Sequence, residues 1–258
     1  MRVLRMAAAA VAVLAVVGGA EAKDWSKVRI GTEGAYPPFN NMTANGDLVG
    51  FDIDIAKALC AEMKVECEFV ISDWDGIIPG LQAGKFDAII ASMSITDERK
   101  EKVDFTAKYY NTPPAIAVPK DSKLEGTSDE NLKGVNLGAQ SSSTHSNYAE
   151  EKLSSANLSL YPTAEEYKLD LVSGRLDAVV DDVVVLSEWL ATDDGACCKI
   201  LGTLTPDPVI NGEGAGIAIR KDDGELKEMF NQAIEAIIAN GKYQEINDKY
   251  FTFDVYGG

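Results

Sequence analysis

The chain has 258 residues, with 24 Lys and Arg against 41 Asp and Glu and a formal net charge of −17. At ~100–200 residues per domain it holds one large domain or two small ones. The acidic balance argues against nucleic acid and anionic lipid, which need a positive face, and favours cationic small molecules only mildly, since salt limits such fields to roughly 8 Å.

In chain order, the first 22 residues read as a secretory leader. Arg2 and Arg5 make a short basic start, Met6 to Val17 an apolar run, and Ala20-Glu21-Ala22 a small-residue cleavage site before Lys23. The run is too short and wrongly flanked for a membrane span; a retained anchor is the alternative. Beyond it, "VRIGTE" (28–33), "CEFVIS" (67–72), "DAIIAS" (87–92), "NLGAQ" (136–140), "DAVVDD" (177–182) and "GIAIR" (216–220) are short, apolar and rich in β-branched residues. Between them Phe51, Ile55, Leu59 and Met63 recur every fourth position. Leu226, Phe230, Ala233, Ile234, Ile237 and Ile238 form a second helical face, ending before Gly241. Strands separated by helices, with continuous apolar runs, predict an α/β protein with mostly parallel sheets.

Cys60 and Cys67 flank a helix-to-strand turn and can close a loop worth roughly 2–3 kcal/mol on the chain-entropy model. Cys197 and Cys198 are neighbours, and a ring between adjacent cysteines is strained, so two free thiols stand beside that alternative. No cysteine spacing suits zinc and His145 is the single histidine, so no metal is expected.

"GKFDAII" (84–90) and "GRLDAVV" (174–180) echo each other at a spacing too long for a solenoid, which suits two similar lobes; chance likeness among α/β patterns is the alternative. Ligands of open parallel sheets bind beyond the carboxyl ends of strands. Those ends here carry "GTEGAY" (31–36), "ASMSIT" (91–96), "GAQSSST" (138–144) and "VVDD" (179–182), which line one cleft if the lobes face each other. "YYNTPPAI" (109–116) reads as a crossing between lobes, and "DSKLEGTSDE" (121–130) as a solvated loop.

The densest chemistry lies in "SMSITDER" (92–99). A strand ends near Ala91 and a helix starts at Thr96, so backbone N–H groups near Ser94 point into the cleft beside serine hydroxyls. Arg99 adds a planar fork that matches a carboxylate. The competing reading pairs Arg99 with Asp97 or Glu98 on the helix surface.

"GFDIDIAKALCAEM" (50–63) resembles the signature of the family 3 extracellular solute-binding proteins. "GTEGAYPPF", "DWDGIIPGL", "MSITDERK", "VDFTAKYY" and "YFTFDVYGG" are similar to their periplasmic lysine/arginine/ornithine-, histidine- and arginine-binding members, over roughly Val28 to Gly258. The resemblance implies an α/β, two-lobe type II periplasmic binding fold. Its expected divisions are a signal peptide (1–22), lobe I (23–111), lobe II (112–213) and a return to lobe I (214–258). It also implies a Cys60–Cys67 disulfide.

By the same resemblance, Arg99 clamps an α-carboxylate with the N–H groups of Ser94 and Thr144. Asp182 and the hydroxyls of Ser92 and Ser94 meet the α-ammonium. Tyr36 and Trp74 sandwich the ligand side chain, and Glu33 meets a cation at its far end. A core role for Trp74 is the alternative. Asp181 is expected to face away from Asp182, since strand side chains alternate. His145, beside Thr144, is expected to face solvent, with contact to the ligand as the alternative. Two departures matter: Glu33 stands where many relatives have aspartate, and Ala91 where they have serine, leaving the Ala91 carbonyl to accept.

The implied function is a monomeric periplasmic receptor that captures a basic amino acid such as arginine, ornithine, lysine or histidine for an inner-membrane ABC permease. No cofactor and no catalytic residue are expected. One alternative is an opine receptor of the same family. Another is an enzyme on the same fold resembling the cyclohexadienyl dehydratases, for which Glu33 and His145 are the only candidate acid–base groups and neither brings an evident activating partner.

Overall fold

A computed structural model describes residues 23–257, so the predicted leader lies outside the described residues. The first lobe opens with β1 (Lys27–Thr32) and a small antiparallel sheet of β2 (Ala35–Tyr36), β3 (Asn40–Met42) and β4 (Leu48–Val49). It continues through α1 (Phe51–Met63), β5 (Glu66–Ile71), α2 (Trp74–Gln82), β6 (Ala88–Ile89), the short α3 (Asp97–Lys100) and β7 (Asp104–Tyr110). Helix α1 follows the four-residue repeat: Phe51, Ile55, Leu59 and Cys60 are buried, and Lys64 closes the helix in the left-handed region at φ 59°. Cys60, near its end, is bonded to Cys67 in β5. In β1, Gly31 leaves room for the Phe86 ring, whose carbons would lie 2.6 Å from any Cβ there.

The chain crosses into the second lobe between Tyr110 and Pro114. There follow β8 (Pro114–Pro119), β9 (Asn136–Gln140), α4 (Thr144–Lys152), β10 (Asn157–Tyr161), α5 (Ala164–Val172), β11 (Ala178–Asp182), α6 (Val183–Leu190) and β12 (Cys198–Thr203). After the short α7 (Pro208–Asn211) the chain re-enters the first lobe as β13 (Ala215–Ile219), followed by α8 (Gly224–Ala239) and α9 (Lys242–Tyr250). Cys197 and Cys198 are free thiols, one exposed and one buried.

The two large sheets have the orders β5-β1-β6-β13-β7 and β10-β9-β11-β8-β12. In the first, β5, β1 and β6 pair in parallel, while β13 is antiparallel to both β6 and β7. In the second, β10, β9 and β11 are parallel and β8 is antiparallel to β11 and β12. Each sheet is thus mostly of one direction, with a single reversed strand, and that strand is the one that follows a crossing. The crossings run side by side: Tyr110 pairs with Ala215 at their first-lobe ends, and Ala115 with Thr203 at their second-lobe ends. Tyr36 of the first lobe and Tyr167 of the second are buried in one continuous apolar cluster, so the lobes meet face to face.

Candidate functional site

The ends of β1 and β6 and the start of α2 face the end of β9 and the start of α4 across the lobe boundary. Glu33 follows β1, and its buried carboxylate accepts from Gln140 Nε2 at 2.7 Å. That amide also donates to the Pro162 carbonyl at 3.1 Å, which uses both of its hydrogens and leaves Oε1 to accept. Burial is the main cause that pushes Glu33 up to about 7; the Gln140 bond opposes it, and nearby Asp181, Asp73 and Asp75 add to it. Tyr36, in β2, donates from Oη to Asp181 Oδ1 at 2.5 Å, also across the boundary.

Trp74 is the first residue of α2. Its Nε1 donates to the Ser142 carbonyl at 3.2 Å, and the Arg99 guanidinium carbon sits 5.3 Å from its ring centre. Ser92 takes φ 57°, an uncommon left-handed conformation for a residue with a Cβ. Three hydrogen bonds hold that turn: its N–H donates to Tyr109 Oη at 3.1 Å, its hydroxyl donates to Asp52 at 2.9 Å, and Tyr109 Oη donates to Asp52 at 2.8 Å. Burial pushes the Asp52 carboxyl up to about 6 against these bonds and one from Asn40. Asp52, unremarked in the sequence, therefore supports the serine turn from behind.

Arg99 is buried at the end of the same segment. Thr96 caps α3, its hydroxyl accepting from Arg99 N at 3.3 Å. The guanidinium donates to the carbonyls of Ser94 at 3.0 Å and Ser142 at 3.1 Å. It does not pair with Asp97 or Glu98, which take Lys100 and Lys102 instead. Burial lowers Arg99 to about 10, so it stays charged at neutral pH, and two of its five N–H groups are used by those carbonyls.

From the second lobe, Ser143 caps α4 in a reciprocal capping box with Ser146, which leaves Thr144 with a helix-start N–H that has no intrahelical partner. Its hydroxyl lies 3.4 Å from that of Ser94. Asp182 caps α6 by accepting from Val184 N at 2.7 Å and also accepts from the Thr112 hydroxyl in the crossing. Burial pushes it up to about 7, against the Thr112 bond.

These groups enclose two adjoining cavities. The first is walled by Glu33, Trp74, Ala91, Arg99, Gln140 and Ser143. The second runs toward the crossings past Asn111, Thr112, Asp182 and Asn211. Tyr36, Ser92, Ser94, Thr144 and His145 line both, so they form one continuous recess with Arg99 in one part and Asp182 in the other.

A model of the bacterial extracellular solute-binding proteins, family 3, matches residues 28–253. The chain belongs to that family. The L-arginine-binding protein of Pseudomonas aeruginosa is 50% identical to it over 233 residues, 89% of this chain and 90% of the relative. The lysine/arginine/ornithine-binding periplasmic protein of Escherichia coli is 40% identical over 89% of each chain. Among solved structures, an ancestral arginine-binding protein bound to arginine superimposes with a TM-score of 0.81 at 40% identity, over 88% of this chain and 98% of that one. These relatives are named as binding proteins and not as enzymes, which sets the dehydratase alternative aside.

Every ligand residue named from the sequence lines the recess of this family 3 protein, but not always as expected. Trp74 lines the cavity, is partly buried, and also packs against the apolar cluster of Ile77, Leu81 and Phe86. The solvent-facing placement of His145 is corrected: its side chain is only 16% exposed, and Nδ1 lies 3.1 Å from Asp181 Oδ1. Gln140 and Ser143 fall within the cleft-lining stretch "GAQSSST", but the sequence assigns them no role of their own. Gln140 ends the "NLGAQ" strand, and that position alone could have marked it.

Proposed function

We propose that this protein is a periplasmic receptor for a basic L-amino acid and hands it to an inner-membrane ABC permease as a monomer. The observation that carries the reading is the sorting of charge along the recess. Arg99 supplies a buried cation with unused N–H groups near the Thr144 helix start, suited to an α-carboxylate. Asp182, with the oxygens of Ser92 and Ser94, suits the α-ammonium. Tyr36 and Trp74 flank the path of the side chain. Glu33 Oε2 and Gln140 Oε1 offer acceptors for a terminal guanidinium or ammonium, with the Ala91 carbonyl nearby. A zwitterion with a positive tail leaves water at heavy cost unless each charge finds a partner, and this recess has three. The bonds of Trp74 and Arg99 to the Ser142 carbonyl join the lobes, and a ligand held by both lobes favours the closed form.

Isothermal titration with arginine, ornithine, lysine, histidine and citrulline tests the reading. Arginine, ornithine or lysine is expected to bind tightest, and equal or tighter binding of the neutral citrulline would overturn it. One observation favours a second reading: the recess continues past Asp182 to Asn111 and Asn211, giving room for an arm on the α-nitrogen such as opines carry. Octopine in the same titration, bound more tightly than arginine, would establish that reading in place of the first.

A further inference from the structure

Asp181 lies behind the recess and not in its lining, with a side chain only 3% exposed. Three hydrogen-bond donors converge on its carboxylate, and the His145 ring lies beside them. Tyr36 Oη reaches Oδ1 from the first lobe at 2.5 Å, and Tyr167 Oη reaches Oδ2 from α5. The backbone N–H of Asp182 donates at 2.7 Å, and His145 Nδ1 lies 3.1 Å from Oδ1. Both carboxylate oxygens therefore act as acceptors here. Burial, with the Asp181 charge second, holds both tyrosines well above the usual phenol range, so both remain O–H donors.

His145 completes the set. Burial lowers its pKa, the Arg99 charge lowers it further, and Asp181 opposes both. The charged groups around it are Asp181 from β11, Arg99 from α3, and Glu33 and Asp182, with which it shares the two cavity linings. A neutral imidazole carries one N–H, and the nitrogen within reach of Asp181 is Nδ1. The opposite edge of the ring, with Nε2, is then the part left to line both cavities.

We propose that Asp181 is a positioning residue of the ligand site: it fixes His145 as the Nδ1–H tautomer and ties the Tyr36 ring to the second lobe, so that the Nε2 lone pair is presented at the junction of the cavities as an acceptor for the ligand. An α-ammonium has three N–H donors, and Nε2 gives it an acceptor beside Asp182. The role given to Nε2 toward an α-ammonium, and the choice of arginine as probe, rest on the receptor reading; the tautomer itself does not.

His145 is the single histidine, so nitrogen NMR of histidine-labelled protein reports on this ring alone. The expected spectrum at neutral pH shows a protonated Nδ1 and a bare Nε2 whose shift moves when arginine is added. A protonated Nε2 overturns the proposal, whether or not arginine binds, so failure of the ligand reading is seen separately. Asp181→Asn is expected to lower arginine affinity about tenfold or more and to mix the tautomers, whereas Tyr167→Phe, which removes one donor, stays within about twofold. Wild-type affinity in Asp181→Asn, or equal losses in both variants, would reduce Asp181 to a packing role. If Asp181→Asn fails to fold, the wild-type spectrum still decides.

Discussion

Glu33→Gln keeps the shape of the recess and removes one negative charge. The charge matters in a way that depends on pH, because burial pushes the Glu33 carboxyl up to about 7. A guanidinium brought to ~4 Å at an effective dielectric near 20 gains about 4 kcal/mol from an ionised partner. Desolvation of the cation offsets part of that gain. About 2–3 kcal/mol survives, a preference for arginine over the isosteric but neutral citrulline of ~30–150-fold well above pH ~7. Below that pH the carboxyl is protonated before the ligand arrives, and ionising it costs about 1.4 kcal/mol for each pH unit. The arginine-to-citrulline affinity ratio should therefore climb by up to about tenfold per unit between pH ~5 and ~7, then level off. Burial also pushes Asp182 up to about 7, but in the proposed placement it meets the α-ammonium that both ligands share, so it cancels in the ratio. Paired calorimetric titrations across that range measure the curve. In Glu33→Gln the ratio should be small and flat. A flat ratio in the wild type, or a retained slope in the variant, would refute the assignment of Glu33 to the ligand's cation.

The same carboxyls set the stability of the ligand-free protein. Glu33 and Asp182 at about 7 and Asp52 at about 6 all lie above their ordinary values, so the folded state holds protons that the unfolded chain releases. Their contribution is full below pH ~4 and is lost as pH rises through 6 to 7, so thermal midpoints should fall over that interval and arginine should restore more at its upper end. Asp182→Asn should weaken arginine and citrulline alike, by about 2–5 kcal/mol, with the capping of α6 largely kept; selective loss of one ligand would contradict its placement at the α-ammonium. Replacing Cys60 and Cys67 with serine should cost about 2–3 kcal/mol in a denaturant midpoint and leave arginine affinity unchanged, since that loop lies away from the recess.

Much of this was legible because local chemistry and position coincide. "SMSITDER" carries its own strand end, helix cap and guanidinium, and the structure keeps that order through Thr96 and Arg99. What stayed hidden depends on the opposite lobe. Alternation does turn Asp181 away from Asp182, but β11 is an interior strand buried along its whole length, so the far side of the strand is another packed interior. There Tyr36 arrives from 145 residues away, a separation no local pattern records. His145 looked solvated because the start of a helix usually is, whereas Asp181 of β11 lies against its ring and it lines the recess between the lobes. Gln140 likewise gains its meaning from Glu33, 107 residues earlier.

The paired crossings have a mechanical consequence. The stretch after Tyr110 and the stretch before Ala215 leave one sheet as laddered neighbours and join the other the same way, at Ala115 and Thr203. Two straps fastened at both ends permit folding about the line that runs across them, but resist torsion, which would lengthen one strap against the other. Motion between the halves is thereby confined close to a single axis, and the walls of the recess return to the same registration at every stroke.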